Sequence, residues 1–324
     1  MSVDVSIVVP TYNRPAALER CLEALLLQRH PDFCYDILIV DNAVSLQTRQ
    51  QVERWKRCGE QAGVCIHYLS TARRGPAAAR NVGWRQSTAR IIAFTDDDCL
   101  PDPGWLQAGR AAFTEDVEAV TGRIVVPMPE NPSDYECSTA QLENSEFATA
   151  NCFYLRSSLE SVGGFDERFT AAWREDSDLF FALLEKKRRW TYEPEAIVIH
   201  PVRPGKWGVS IQQQRKSMFN ALLYKKHPQL YRNRIQAQPP WHYYRILGTY
   251  VFFMHGLLRR SKRQAVVGIG LWLWFTSQFC LRRLRNTNHR PEHVAEMIVT
   301  SVLIPPLSIF WRLRGALKFR IPFL

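Results

Sequence analysis

The sequence predicts an α/β fold with a doubly wound, mostly parallel sheet, followed by a helical, basic, membrane-associating C-terminal region. Three observations carry that expectation. Short apolar runs recur at residues 5–9, 37–40, 64–69 and 91–94, with helix-like stretches between them. That β-loop-α alternation builds parallel sheets with helices on their faces. Polar residues stand where these runs end, at Pro10 and beyond, at Asp41, and at Asp96, Asp97 and Asp98. Open α/β sheets hold their ligands at such carboxyl ends. The charge is also divided: residues 1–200 carry 21 Lys and Arg against 29 Asp and Glu, whereas residues 201–324 carry 21 against 2. The net charge of +11 therefore belongs to the C-terminal part, which asks for an anionic surface as its partner.

Each element has its own signal. Residues 5–9 are rich in β-branched side chains and run into Pro10, as a buried parallel strand does. After the loop Thr11-Tyr12-Asn13-Arg14-Pro15, Leu18, Cys21, Leu22, Leu25 and Leu26 fall at helical spacing. The run 37–40 ends in Asp41-Asn42, and residues 47–57 make a polar amphipathic helix. A further strand at 64–69 leads to Gly75-Pro76, which opens the next helix, and the strand 91–94 follows. Farther on, Gly163-Gly164 supplies a tight turn ahead of Phe165. Leu179, Phe180, Leu183 and Leu184 mark one face of a helix whose first turn holds Glu175, Asp176 and Asp178. Residues 196–199 form a strand that ends at His200. The chain of 324 residues suffices for two ordinary domains, and 46% hydrophobic content excludes wholesale disorder. The eight cysteines show no C-x-x-C or metal-finger spacing and fit a reducing compartment. The opening residues have neither the basic nor the apolar region of a signal peptide.

Asp96, Asp97 and Asp98 are the main chemical signal. Three adjacent carboxylates at a buried strand end repel one another unless a counter-charge is present. A hard divalent cation shared with a diphosphate supplies one. Strand alternation would put Asp96 and Asp98 on one side and Asp97 on the other. The ordinary alternative is an acidic turn that caps a helix. No glycine-rich phosphate loop follows the first strand, which disfavours a dinucleotide or P-loop site. Tyr12 offers a ring for stacking on a base instead. Acids in a helix's first turn are favoured by the macrodipole alone, yet one beside a cation site is placed to act as a general base. His200, at a strand end, is a candidate nitrogen ligand, although a lone His is more often structural.

Read together, V-S-I-V-V-P-T-Y-N-R, I-V-D-N, G-P-A-A-A-R-N, F-T-D-D-D, V-G-G-F-D-E and R-E-D-S-D-L resemble the family 2 glycosyltransferases of the GT-A type over roughly residues 3–205. The resemblance implies inverting transfer from a nucleotide-diphosphate sugar, a UDP-sugar first of all, with Mg²⁺ or Mn²⁺. It implies that Pro10, Thr11, Tyr12, Arg14, Asp41, Arg80, Asp96 and Asp97 line the nucleotide pocket. Asp98, Asp96 and His200 would hold the metal, and Asp176, beside Glu175, would be the base. The family's processive synthases carry Q-x-x-R-W, whereas Gln212-Gln213-Gln214-Arg215-Lys216 lacks the Trp, so a polymerising enzyme is not implied. A bound cation would stabilise the departing diphosphate, and one carboxylate would deprotonate the acceptor hydroxyl. One base without a covalent nucleophile predicts inversion. The rivals are a non-catalytic nucleotide-sugar binder and a nucleotidyltransferase on a similar sheet.

The expected division is a catalytic domain at residues 1–205 and a helical membrane-associated region at 206–324, with the composition changing after Pro204. Residues 212–226 read as a basic helix. Apolar stretches at 246–258, 265–281 and 297–311 alternate with Arg- and Lys-rich segments. They fall short of the ~20 residues that span a bilayer, and Pro305-Pro306 should break the third. Flanking Trp and Arg suggest interfacial attachment to the cytoplasmic face, ahead of a short spanning pair or a soluble helical core. Apolar runs between basic clusters suit lipid headgroups rather than nucleic acid. The acceptor is then a lipid-linked sugar or a membrane-proximal glycan, as in polysaccharide biosynthesis.

Overall fold

The computed structural model describes residues 3–29, 32–203 and 205–323. Pro204, after which the composition changes, and Met1 and Ser2 at the start lie outside the described residues. The chain forms two compact units: Met1–Pro127 with Gln141–Val202, and Met128–Ala140 with Arg203–Leu324.

The first unit opens with β1 (Val5–Thr11), every residue of which is buried. Pro15, whose missing N–H costs nothing in a first turn, starts α1 (Pro15–Leu26), which buries Leu18, Cys21, Leu22 and Leu25. The alternation continues through β2 (Tyr35–Asp41), α2 (Leu46–Gln61), β3 (Cys65–Ser70), α3 (Pro76–Gln86) and β4 (Ile91–Phe94). Ser45 caps α2, its hydroxyl accepting from the Thr48 N–H. Then come β5 (Leu100–Pro101), α4 (Trp105–Ala111) and β6 (Ala119–Val125). After an excursion into the second unit, which carries α5 (Asp134–Ala140), the chain returns through β7 (Cys152–Leu155), α6 (Arg156–Val162), α7 (Glu175–Glu185) and β8 (Trp190–Ile199).

The sheet order is β3-β2-β1-β4-β7-β6-β8-β5. β1 pairs in parallel with both β2 and β4, so the direction of winding reverses between β1 and β4. A crevice opens at such a reversal, outside the carboxyl ends of the two strands. Thr11 and the three aspartates stand at those ends. The antiparallel strand β7 lies outside the β-loop-α alternation and was not apparent in the sequence, nor was β5, whose two residues carry no periodicity.

In the second unit the basic helix expected at 212–226 is divided into α8 (Val209–Gln213), a 3₁₀ segment (Gln214–Met218) and α9 (Phe219–Lys226). They are followed by α10 (Pro228–Arg234), α11 (Trp241–Leu258), α12 (Lys262–Leu284) and α13 (Pro291–Phe319). α11 and α12 form a tight hairpin: a side chain at Gly256 or Gly268 would collide with the backbone of Ala265 or Phe253. Ile246, Phe279 and Ile304 make a small core for α11, α12 and α13. Two expectations are corrected. α13 runs through Pro305 and Pro306 without a break, because the prolines remove only individual rungs while Ile304 and Ile309 stay packed on either side. α12 and α13 also extend beyond their apolar stretches into flanking polar residues, so both are long and apolar enough to cross a membrane.

Candidate active site

The three aspartates do not continue β4. The strand stops at Phe94, and residues 96–99 form a turn closed by a bond from the Cys99 N–H to the Asp96 carbonyl, 3.1 Å. Strand alternation therefore does not govern the side chains. Each carboxylate meets a different group. Asp97 is buried, accepting from the Thr11 hydroxyl at 2.7 Å and the Arg14 guanidinium at 2.9 Å. Burial raises its pKa despite Arg14 and Thr11, which pull the other way. Asp96 accepts from Arg80 at 2.7 Å. Asp98 lies 3.9 Å from Nε2 of His200.

Arg80 ties the site together. On α3, its side chain is only 2% exposed, and it donates to Asp96 at the end of β4 and to Glu175 at the start of α7, 3.0 Å. Burial would favour loss of its proton, but the two carboxylates outweigh that and raise its pKa. The next residue, Asn81, clamps the Gly-Gly-Phe turn. Its amide donates to the Phe165 carbonyl and to Glu167, while its oxygen accepts from the Phe165 N–H and Trp84. Gly164 fits beside that amide, in a left-handed conformation (φ 76°) where a side chain would strike Asn81 and Trp84. The R-N pair is thus a clip that sets α7 against the strand ends.

At α7, Glu175 is buried, accepts from the Trp173 N–H at 2.7 Å, and has its pKa pushed up to about 7 by burial and by Asp176, against the pull of Arg80. Asp176 is half-buried, and one of its oxygens accepts from the N–H of Ser177 at 2.6 Å. Arg174, just before the helix, takes the left-handed conformation (φ 75°) that few non-glycine residues adopt. That backbone directs the first turn.

The residues expected in the nucleotide pocket divide into two groups. Tyr12 is exposed, and Arg14 and Asp96 are partly so. Pro10, Thr11, Asp41, Arg80 and Asp97 are buried. Asp41 accepts from the N–H groups of Ala43 and Ser45, at 2.8 and 2.6 Å, and from Tyr68 at 3.1 Å, so its side chain organises the loop after β2. Asn42 extends that loop to the 71–75 segment, donating to the Thr71 and Arg73 carbonyls and accepting from Gly75. Its role, like that of Asn81, was present in the motifs but not separable from ligand contact.

Among the described residues, one group of metal-ligating type gathers: Asp98, Cys99 and His200, with ligand atoms within 4.8 Å of one another. Asp96 is not part of it. Burial, with Asp96 and Asp98 nearby, pushes the Cys99 thiol well up. Nδ1 of His200 is buried and has no hydrogen-bond partner among the described residues. One carboxylate and one imidazole suit a Mn²⁺-like ion that takes its remaining ligands from a diphosphate and water.

The model of the family described as "Glycosyl transferase family 2" matches residues 6–174, more than half of the chain. The chain belongs to this family. A second model, "Glycosyl transferase family group 2", matches residues 91–284. Glycosyltransferase AglE of Haloferax volcanii is 27% identical over 215 residues, 62% of this chain and 67% of that protein. The pre-mycofactocin glycosyltransferase of Mycobacterium tuberculosis is 29% identical over 216 residues, 62% of this chain but 43% of the relative, so the match spans less than half of that protein. Among solved structures, the mannosyltransferase PcManGT from Pyrobaculum calidifontis, in complex with GDP-Man and Mn²⁺, superposes with a TM-score of 0.55 at 18% identity, covering 99% of this chain and 88% of that one. The fold of this glycosyltransferase is accordingly of the GT-A type.

Proposed function

We propose that the protein transfers a sugar from a nucleoside diphosphate donor, UDP- or GDP-linked, to a membrane-proximal acceptor hydroxyl with inversion. The observation that carries this reading is Arg80, bound at once to Asp96 and to Glu175 at 2.7 and 3.0 Å. It brings a strand-end carboxylate beside the crevice and the first turn of α7 to one place. Tyr12 stacks on the base, and Arg14 and Asp96 face the nucleotide. Asp98 and His200 would hold a divalent cation, which would supply Lewis-acid stabilisation of the departing diphosphate. Asp176, the more accessible of the Glu-Asp pair, accepts the acceptor's proton. Glu175 and Arg80 hold Asp176 in position. With a single base and no covalent nucleophile, the displacement inverts. The cation and nucleotide in the mannosyltransferase of similar fold support this donor class.

The second unit is read as membrane-associated. Leu258 and Leu317 are 81% and 80% exposed, and only 22% of the apolar window of α12 is buried, which supports a membrane-facing helix over a soluble core. Among the described residues the cysteines form no disulfide, which suits the cytoplasmic face. A thermal-shift screen of nucleotide sugars with Mn²⁺ tests the donor assignment. One donor should raise the melting temperature, since a ligand at 100 times its dissociation constant adds ~2.7 kcal/mol. Failure of every UDP- and GDP-sugar to do so would refute it.

A further inference from the structure

A cavity of about 370 Å³ opens at the base of the α11–α12 hairpin, where α11 begins and α12 ends. His242, Arg245 and Ile246 line it from one helix, and Phe275, Gln278 and Arg282 from the other. Spacings of three and four residues put each set on one helical face. Its chemistry is two-sided. Two guanidiniums, an imidazole and an amide supply N–H donors around an apolar floor of Ile246 and Phe275. The Arg245 guanidinium lies over the Phe275 ring, 5.7 Å from its centre, which orders it before any ligand arrives. Among the described residues, neither Arg245 nor Arg282 has a carboxylate in salt-bridge range. From Arg203 to the C-terminus the sequence offers only Glu292 and Glu296 as acids. The apolar floor also continues beyond the cavity. Leu271 and Val267 precede Phe275 at four-residue steps on α12 and are exposed, as is Tyr250 on α11. A basic mouth that leads into an exposed apolar track matches an amphiphile with an anionic head.

We propose that this groove is a binding site for the phosphate of a membrane lipid, with Arg245 and Arg282 gripping the phosphate oxygens and the acyl or prenyl chain lying along Phe275, Leu271 and Val267. Guanidinium is suited to this task, since its paired N–H groups match two phosphate oxygens. The proposal rests on the membrane reading of the second unit but concerns a defined site, beyond the diffuse attraction of basic residues to an anionic surface.

The test uses the full chain in dodecyl maltoside, titrated with dodecyl phosphate and, separately, with inorganic phosphate. Two variants lose equal charge: Arg245→Gln/Arg282→Gln in the groove, and Arg259→Gln/Arg260→Gln at the hairpin turn. Dodecyl phosphate should bind the parent and the turn variant alike, and the groove variant at least ten-fold more weakly. Inorganic phosphate should bind far more weakly throughout. Equal weakening in both variants, or none in either, would overturn the site. Equal affinity for inorganic phosphate would overturn the lipid assignment. Sedimentation with neutral phosphatidylcholine vesicles tests the membrane reading separately, because the detergent titration decides the groove whatever that outcome.

Discussion

Arg80 joins two acids that are far apart in sequence, and its neighbours divide into groups that hold the site and groups that face the crevice. Asp176, half-buried, is the proposed base. Asp176→Asn should keep donor binding while lowering turnover by roughly 10²–10⁴-fold, the usual share of a general base. Steady-state rates with donor affinity measured in parallel check this, and an unaltered rate would assign the base elsewhere. Glu175 predicts a pH signature. Burial first, then Asp176, hold its pKa near 7, above the ordinary value of 4.5, so the folded chain binds more protons than the unfolded chain between those values. Stability contributed by this group is therefore intact below about 4.5 and lost as pH rises toward about 7. Glu175→Gln should remove that slope. Its melting temperature relative to the parent should climb across this window, and a constant difference would contradict the assignment.

α3 is the element that positions the site, through Arg80 on one side and Asn81 on the other. Asn81→Ala deletes four hydrogen bonds and leaves the Phe165 N–H and carbonyl buried without partners. Each such group costs about 1–3 kcal/mol, so denaturant unfolding should register a loss of roughly 3 kcal/mol. A loss under about 1 kcal/mol would show that the turn is held elsewhere. Much of this architecture was legible in the sequence. The parallel strands announce themselves because β1, β2 and β4 are buried along their whole length and so are mostly apolar. The first turn of α7, with its three acids, follows from the spacing of Leu179, Phe180 and Leu183. Other features were hidden for physical reasons. β7 runs antiparallel, outside the β-loop-α alternation that marks the parallel strands, and β5 is only two residues long. The turn at 96–99 depends on contacts to Thr11, Arg14, Arg80 and His200, which no local pattern reports. Nor does local patterning show that Asp41 satisfies its own loop. The continuity of α13 through two prolines likewise depends on neighbouring packing. Residues 128–140, expected in the first domain, group with the second unit, in which Arg283 holds Asp134 at 2.7 Å.

For the whole molecule, charge and apolar exposure make separable contributions. Each basic residue near an anionic surface is worth ~1 kcal/mol and is screened by salt, whereas burial of apolar side chains is not. At about 1 M salt, where the screening length falls to ~3 Å, the full chain should still sediment with membranes and should be released by detergent. Complete release by salt alone would refute apolar anchoring. The proposed nucleotide site is a crevice at the β1–β4 reversal, where a nucleoside diphosphate would bind through a cation held by Asp98 and His200. Calorimetric titration of the full chain with UDP and GDP, with Mn²⁺ or with EDTA, tests it most directly when repeated on Asp98→Asn. One nucleotide should bind the parent only with Mn²⁺, and the variant, still folded by its melting curve, should lose that binding. Equal affinity in EDTA, or Mn²⁺-dependent binding unchanged in Asp98→Asn, would refute this site.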